Sequence, residues 1–429
     1  MNAILLILLQ TRVLTLDDAV KTATQKQPQM RQAQANTDAA RARADEARSG
    51  LLPQVNVTAQ YQRTTSNLAP QPGINTNGTS GGGLMRSATF DTFNFWNLGA
   101  NATQLLWDFN QTADRWRAAK SNADAQFDTE QYTTTQVVLN VRTAYFNARA
   151  QKALVQVARE TLTNQDKHLQ QIQGFVQVGT RPEIDLAQAK TDRANAQVQV
   201  ITAENGYETA KAQLNQAMGV EGPTDYDVAD EQLGQVEGED QQIGPLVDEA
   251  VKARPDLVAL EKQVRAQELT LSSVRGAYLP TFTVGTAFTD RSAELSTLDN
   301  GWNWNASVAL TWPLFQGLLT NSQVRENEAL LTSLEAQRDL ARQQVRLEVD
   351  QARLAVRAAK AAVLAAAEAL ANAQVRLRLA EGRYQTGVGS VIELGDAQVA
   401  LTQAAAQKVQ ADYNVSTARA QLLKALGRR

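Results

Sequence analysis

The sequence predicts an α+β membrane protein in which a few membrane-spanning β-strands join very long coiled-coil α-helices, the whole unit being written twice. Three observations carry this. Apolar and small residues recur with a 3.5-residue period along two long stretches. Four shorter segments alternate apolar with polar residues, one of them bounded by tryptophan at both ends. The second half of the chain repeats the first at a nearly constant offset.

Composition agrees with long, closely packed helices. The chain has 429 residues, 43% hydrophobic but only 6% aromatic, with stretches crowded by Ala and Gln. A net charge of −3 gives no basic footprint for nucleic acid, so none is expected as a partner. The absence of cysteine excludes disulfides, thiolate metal sites, cysteine nucleophiles and a lipid-anchored N-terminal Cys. The single histidine, His168, removes most hydrolase triads and zinc sites. No cofactor or metal is expected, and no nucleophile and base constellation marks an enzyme.

Residues 1–14 read as an incomplete or remnant secretion signal, or as a misassigned start, because the apolar run Ile4 to Leu9 is too short to span a bilayer, lacks a basic flank and shows no clean small-residue cleavage site. Elsewhere no 18-residue apolar stretch occurs; the Ala-rich run Ala358 to Ala373 is broken by Lys360, Glu368 and Asn372. Any membrane crossing must therefore use strands.

The duplication places Trp107 on Phe315, an offset of 208, together with Val141 on Val349, Ala144 on Ala352, Gly179 on Gly387, Ile184 on Ile392, Leu186 on Leu394 and Gly219 on Gly427. At a slightly different offset Ala19, Val20, Pro28, Leu52 and Pro53 match Ala250, Val251, Pro255, Leu279 and Pro280. The expected organisation is a first repeat over 15–219, an acidic connector over 220–246 and a second repeat over 247–429. The connector carries Asp225, Asp227, Asp230, Glu231, Glu237, Glu239 and Asp240 without Lys or Arg, and reads as a solvated link with short local structure.

Each repeat reads helix, strand, loop, strand, very long helix, turn, shorter helix. The first long helix is expected from about Gln111 to Gln177, roughly 100 Å at 1.5 Å per residue. Its seam runs Val137, Val141, Ala144, Ala148, Gln151, Val155, Ala158, Leu162, Gln165, Leu169, Ile172 and Val176. The second copy gives Val345, Val349, Ala352, Val356, Ala359, Val363, Ala366, Leu370, Ala373, Leu377, Ala380 and Tyr384. A sustained 3.5-residue period implies left-handed coiled-coil packing, and alanine at the seam lets backbones approach closely. Shorter helices, Leu16 to Gly50 and Pro182 to Met218, are expected to stack end to end as the partner of the long one. His168 falls outside the seam and reads as a surface residue.

The strongest strand signal is Trp302 to Trp312, where Trp302, Trp304, Ala306, Val308, Leu310 and Trp312 share one face and Asn303, Asn305, Ser307, Ala309 and Thr311 the other. At about 3.3 Å per residue the outer tryptophans stand roughly 30 Å apart, which suits an apolar band between interfacial girdles. Val55, Val57, Ala59, Tyr61, then Trp96, Leu98, Ala100, Ala102, then Phe282, Val284, Phe288 alternate likewise. Trp96, Trp302, Trp304 and Trp312 are the candidate membrane-interface aromatics. Four strands cannot close a barrel with a lumen, and an open edge cannot sit in lipid, so the chain is expected to oligomerise. The segments Arg63 to Phe93 and Asp290 to Gly301 read as polar extracellular loops.

The element order, the duplication, the Leu52–Pro53 and Leu279–Pro280 pairs opening strands, and the motifs "VQVGTRPEIDLAQA" and "YQTGVGSVIELGDAQ" together resemble the TolC family of outer-membrane efflux proteins over nearly the whole chain. The resemblance implies a trimeric 12-stranded β-barrel, four strands per chain, continued by a long periplasmic α-helical tunnel. It also implies a homotrimer set in outer-membrane lipid that works with a periplasmic adaptor (membrane fusion) protein and an inner-membrane RND, ABC or MFS transporter. Such a channel would conduct drugs, small molecules or proteins to the exterior. The family's acidic aperture sites match Glu393 and Asp396, and its linking network matches Tyr384 and Asp185. Its adaptor-docking tips match Val178, Gly179, Thr180, Thr386, Gly387 and Val388. One departure is Gly389, where some members carry a basic linking residue. Arg429 also follows the last expected helix at once, with no long tail.

The residues alone leave second readings open. Glu393, three after Ser390, and Glu183, three after Thr180, have the spacing of capping boxes. Asp396 reads as a pore acid or an exposed helix carboxylate, Tyr384 as a link or as core, and Gly179 and Gly387 as turn formers. Arg181 lies 208 before Gly389, so the cation missing from the second tip stands in the first. It reads as a latch to Glu393 or Asp396 across adjacent hairpins, or as a solvated residue beside Pro182. A soluble coiled-coil protein would explain the heptads but not the matched strands. A periplasmic adaptor would lack the tryptophan-bounded strands.

Overall fold

Prolines cut the short helices where the chain must turn. In the computed structural model, which describes residues 12–65, 90, 92–292 and 302–428, strand β1 (Arg12–Leu14) leads into α1 (Leu16–Lys26) and α2 (Pro28–Ser49). Pro28 disfavours a helical residue before it, and Gln27 is extended with ψ 122°. The single helix expected from Leu16 to Gly50 is therefore two. The chain continues through β2 (Gln54–Thr65), β3 (Thr92–Trp107), α3 (Gln111–Gln177), α4 (Glu183–Met218), β4 (Tyr226–Val228), α5 (Ile243–Ala253) and α6 (Pro255–Gly276). It ends with β5 (Thr281–Ser292), β6 (Asn303–Thr311), α7 (Leu319–Gln385) and α8 (Val391–Ala425). Pro255 separates α5 from α6 as Pro28 separates α1 from α2, with Arg254 at ψ 120°. Both long helices have 67 residues.

Contacts divide the chain into two compact units, one formed by 38–125 with 260–336, the other by the chain up to Thr37, 126–259 and 337–429. The first holds an antiparallel sheet in the order β2-β3-β5-β6. Its register aligns Val57 with Ala100, Ala100 with Phe288 and Phe288 with Trp304, so the apolar alternations of all four strands fall on one face. The other face is mostly amide, hydroxyl and small residues: Asn56, Asn101, Ala287 and Asn305 form one row. Close rows there need small residues, since a Cβ on Gly99 would meet Thr58 Oγ1 at 2.9 Å. Strands β2 and β6 are the edges. The segments expected as loops are shorter than expected, because Arg63–Thr65, Thr92, Phe93 and Asp290–Ser292 belong to strands; residues 66–89, 91 and 293–301 lie outside the described residues.

Both strand-to-helix junctions use two left-handed residues at the 208 offset: Phe109 (φ 54°) and Asn110 (φ 67°), then Gly317 (φ 61°) and Leu318 (φ 66°). For the non-glycine residues this costs about 1–2 kcal/mol each. The first junction is held by Asp108, whose carboxylate accepts from the Thr112 N–H at 2.7 Å.

In the helical unit every residue of the two predicted seams is buried or half-buried. Clusters around Val141, Tyr145 and Leu214, and around Val349, Val356 and Leu422, form its core. The short helices meet end to end. Gly219, at φ 68°, closes α4 so tightly on the α1–α2 junction that a Cβ would stand 2.6 Å from Gln27 Cα. Gln27 Nε2 donates back to the Ala217 carbonyl at 3.0 Å. Gly427, at φ 74°, closes α8 on Ala253 and Arg254 in the same way.

The segment 1–14, expected as a signal remnant, is corrected in part: Arg12–Leu14 pairs in parallel with β4 and Leu14 is buried, while residues 1–11 lie outside the described residues. The acidic connector is likewise more than solvated. Asp227 accepts from Lys152 Nζ and the Tyr207 hydroxyl, both at 2.6 Å. The Glu239 side chain is 0% exposed and is held by Arg419 Nε at 3.0 Å, Lys360 Nζ at 3.2 Å and the Val236 N–H at 3.0 Å. Lys360 and Arg419 occupy the positions of Lys152 and Lys211 plus 208, so one pair of cationic sites is used twice. Among the described residues no helix is long and apolar enough to cross a membrane.

Burial pushes the Glu239 carboxyl up, but the hydrogen bonds from Arg419, Val236 and Lys360 prevail and hold it below the usual carboxylate range. Glu239→Ala leaves the mostly buried Arg419 without a carboxylate, while Lys360 keeps Asp240 at 2.9 Å, and is expected to destabilise the fold by about 3 kcal/mol. Lys360→Ala should cost less, because that ammonium is partly solvated. Thermal loss of the helical circular dichroism in detergent measures both, and the Glu239 contribution should fade as pH drops through the carboxylate range.

Candidate functional site

The two helical hairpins end in turns that the sequence builds twice. At the first, Gly179 (φ 80°) follows α3, and the Gly179 and Thr180 N–H groups donate to Val176 and Phe175 at 3.0 and 2.9 Å. At the second, Gly387 (φ 77°) follows α7, and Gly387 and Val388 donate to Tyr384 and Arg383 at 3.1 and 3.0 Å. These are Schellman-type closures in which a left-handed glycine satisfies the last carbonyls. Val178 and Val388 project from the turns, 72% and 75% exposed, and Thr180 and Thr386 spend their hydroxyls on Phe175 and Gly382 carbonyls. The capping boxes differ. Ser390 Oγ accepts from the Glu393 N–H at 3.1 Å, whereas α4 has Pro182 at its cap position without a side-chain bond, so Glu183 closes no box.

Behind the turns lies an aromatic cluster centred on Tyr384, 1% exposed. His168 and Phe175 of α3 meet its ring at 5.5 and 6.3 Å between centroids, and the Arg181 guanidinium stands over it at 4.6 Å. Ile172, Ala189, Leu377, Leu394 and Ala397 pack alongside. The Tyr384 hydroxyl has no hydrogen-bond partner among the described residues, and burial raises its pKa above the usual phenol value. His168 is therefore no surface residue; it is 6% exposed because α7 covers the flank of α3 beside the heptad seam. Tyr384, Asp185 and Arg181 do come together here.

Arg181 does not reach Glu393 or Asp396 in the chain. Its Nη2 donates to the Gly389 carbonyl at 3.4 Å, while Glu393 pairs with Arg383 at 3.4 Å. Asp185, buried, and Asp396, exposed, line a groove of about 770 Å³ between α3, α4 and α8, with Asp192 on the same wall. At the groove's back, Gln165 Nε2 donates to Gln398 Oε1 at 2.9 Å and Thr161 meets Thr402 at 3.1 Å, a polar layer tying α3 to α8. Gln165 sat in the predicted seam as a polar core position, which was the available signal; Gln398 and Arg383 had none.

In the sheet, Trp96 lies 4.6 Å from Tyr61, Trp302 stacks on Phe288 at 6.2 Å, and Trp304 is the cross-strand neighbour of Phe288. Trp312, at the opposite end of β6, donates its indole N–H to the Tyr278 carbonyl at 3.1 Å. Aromatics thus bound the apolar face at both ends of β6. From Trp304 to Trp312 that face is about 26 Å long.

The family model for outer membrane efflux proteins matches residues 19–220 and 246–428. The probable efflux pump outer membrane protein SepC of Pseudomonas putida is 26% identical over 96% of this chain and 82% of its own length. The outer membrane protein TolC of Escherichia coli is 27% identical over 93% of this chain and 79% of its own length. Among solved structures, the outer membrane protein VceC of Vibrio cholerae superposes with a TM-score of 0.81 at 17% identity, covering 96% of each chain.

Burial lowers the His168 pKa, against the pull of Asp192 and Asp185 on α4. A depressed histidine contributes stability that is present above its unfolded value of about 6.5 and is lost as pH falls below it. The chain has one histidine, so a ¹³C-histidine spectrum should show one imidazole whose titration midpoint lies below 6.5. His168→Phe should remove the acid-induced loosening of the tips read by hydrogen exchange over residues 168–186.

Proposed function

The chain belongs to the outer membrane efflux protein family and is an efflux channel of the bacterial outer membrane reaching into the periplasm, and we propose that three copies close one such channel. The observation that carries the trimer is the four-stranded sheet with one continuous apolar face and two unpaired edges, β2 and β6. In lipid every backbone N–H and C=O must be satisfied, and four strands are too few to curl shut around a lumen. Three chains would pair β6 of one with β2 of the next and give 12 strands. The helices support the same reading: Leu340, Leu347, Leu354, Leu364, Val375 and Leu379 are exposed along α7 at multiples of about 3.5 residues, a stripe that the described residues leave uncovered. The repeats 15–219 and 247–429, joined by 220–246, would then supply matching hairpins around one ring.

In this reading Trp96, Trp302, Trp304 and Trp312 sit at the membrane interfaces. The exposed turns at Val178, Gly179, Thr180, Thr386, Gly387 and Val388 receive a periplasmic adaptor, which connects the channel to an inner-membrane RND, ABC or MFS transporter. The polar face of the sheet lines the exit with amides and hydroxyls, so charge discrimination falls to Glu393 and Asp396. Three copies of each around a narrow aperture would favour cations.

Two measurements test this. Mass analysis in detergent should give three chains per particle, and a stable monomer would contradict it. In planar bilayers the parent channel should prefer cations and be blocked by multivalent ones, and the Glu393→Ala, Asp396→Ala double variant should lose most of both; unchanged selectivity would remove these residues from the aperture.

A further inference from the structure

We propose that Arg291 is an anion-recognition residue at the outer exit of the channel, where three copies form a cationic ring on the lumen wall that takes multivalent, phosphate-type solutes. This rests on the three-chain channel reading above and adds to it a site opposite in sign to the acids of the tips.

Strand β5 alternates its side chains between the two faces of the sheet. Phe288 belongs to the apolar face, so Thr289 and Arg291 belong to the polar one, where Gln60, Asn97 and Arg291 form a row. Among the described residues Arg291 is the one charge on that face. The carboxylate next to it in sequence, Asp290, lies on the opposite face beside Leu98 and cannot neutralise it. Arg291 is exposed and makes no ion pair or side-chain hydrogen bond among the described residues. Its row is no competitor either, since the buried Asn97 Oδ1 has no donor and the guanidinium is not drawn onto it.

The level of Arg291 follows from its neighbours. Ser292 pairs with Trp96, and Trp96 lies against Tyr61, an aromatic pair at the end of the sheet opposite Trp312. In the barrel reading this is the exit end, and lipid meets only the apolar face, so a ligand of Arg291 comes from the aqueous lumen.

A guanidinium suits this place. It stays charged throughout the physiological pH range and presents its donors in a fork that matches phosphate oxygens. With strands about 4.8 Å apart and tilted about 40°, a 12-stranded barrel has its backbone roughly 12 Å from the axis. The Debye length at physiological ionic strength is about 8 Å, so three side chains reaching inward from that wall cover the cross-section with their field. The acids of the tips still set the preference among small ions, because theirs is the narrower constriction. Multivalent anions respond to the ring, since their attraction grows with their charge.

The test is single-channel recording of the full chain in phosphatidylcholine bilayers, with inorganic tripolyphosphate added on the side that the tips do not face. The parent current should be blocked. Arg291→Gln should raise the half-blocking concentration about tenfold or more, the scale on which a cleft of one sign concentrates counter-ions. Block by multivalent cations should be unchanged in Arg291→Gln, because it belongs to Glu393 and Asp396. Equal half-blocking concentrations in parent and variant would overturn the ring, and so would a loss of cation block in Arg291→Gln, which would make Arg291 a structural residue. If Arg291→Gln fails to assemble on unboiled gels, Asn97→Asp, which sets a carboxylate opposite the guanidinium in the same row, is read with the same outcomes. A parent chain that passes no current overturns the channel reading itself, whereas a conducting parent indifferent to tripolyphosphate overturns the ring alone.

Discussion

A 3.5-residue side-chain period held along two 67-residue helices is the constraint on which the helical unit depends. Each long helix needs a partner along its whole length, and the chain supplies it in pieces: α4 with the α1–α2 pair, and α8 with the α5–α6 pair. Pieces make a continuous wall only if their ends touch, which is why the joints are glycine. Gly219 and Gly427 take left-handed conformations and let the incoming backbone approach within a distance no Cβ would allow. The alanine-rich seams act in the same sense, since small side chains bring the helix axes close and leave a thin core. Large residues are reserved for the places where more than two helices meet, as Tyr145 and Phe146 do in one core cluster and Tyr384 does at the tips.

What the sequence revealed was whatever is written as a local period. The strand alternations, the two seams and the glycine turns each follow from residues a few positions apart, and the structure places them where those periods require. Three features were out of reach for a common reason. Glu239 is buried by Arg419 and Lys360, which lie 180 and 121 residues away, so its composition-level reading as a solvated acid missed both partners. His168 stands outside the heptad, yet α7 covers it from the side. Arg181 was read against carboxylates, while its actual acceptor is a backbone carbonyl, a group every residue has and no sequence pattern marks. The break at Pro28 is different, because the proline was visible and the helix was nonetheless drawn through it.

The two units distribute charge unequally. The polar face of the sheet is mostly Asn, Gln, Thr and Ser, interrupted by small residues and by Phe95 and Leu105, with Arg291 the charged exception among its described residues. Several of the helical unit's ion pairs fasten the connector, whereas Asp396, near the tips, has none among the described residues. Neutral amides and hydroxyls bind water and solutes weakly and without sign, which suits a passage that must not retain what crosses it. The connector charges have the opposite task. Asp227 and Glu239 draw the link between the repeats onto repeat-equivalent cations of the long helices, Lys152 and Lys360, so the link is fastened to both halves.

Positions 181 and 389 are the same place in two copies of one unit, and they touch each other. Six identical hairpins in a ring would have to meet through six identical joints. With a guanidinium in one copy and a bare glycine carbonyl in the other, the joint inside the chain is made by a contact that only one of the two tips supplies. If three such chains close a ring as proposed above, the joints between chains need not match the joint within each, and the ring would dilate with three-fold rather than six-fold symmetry.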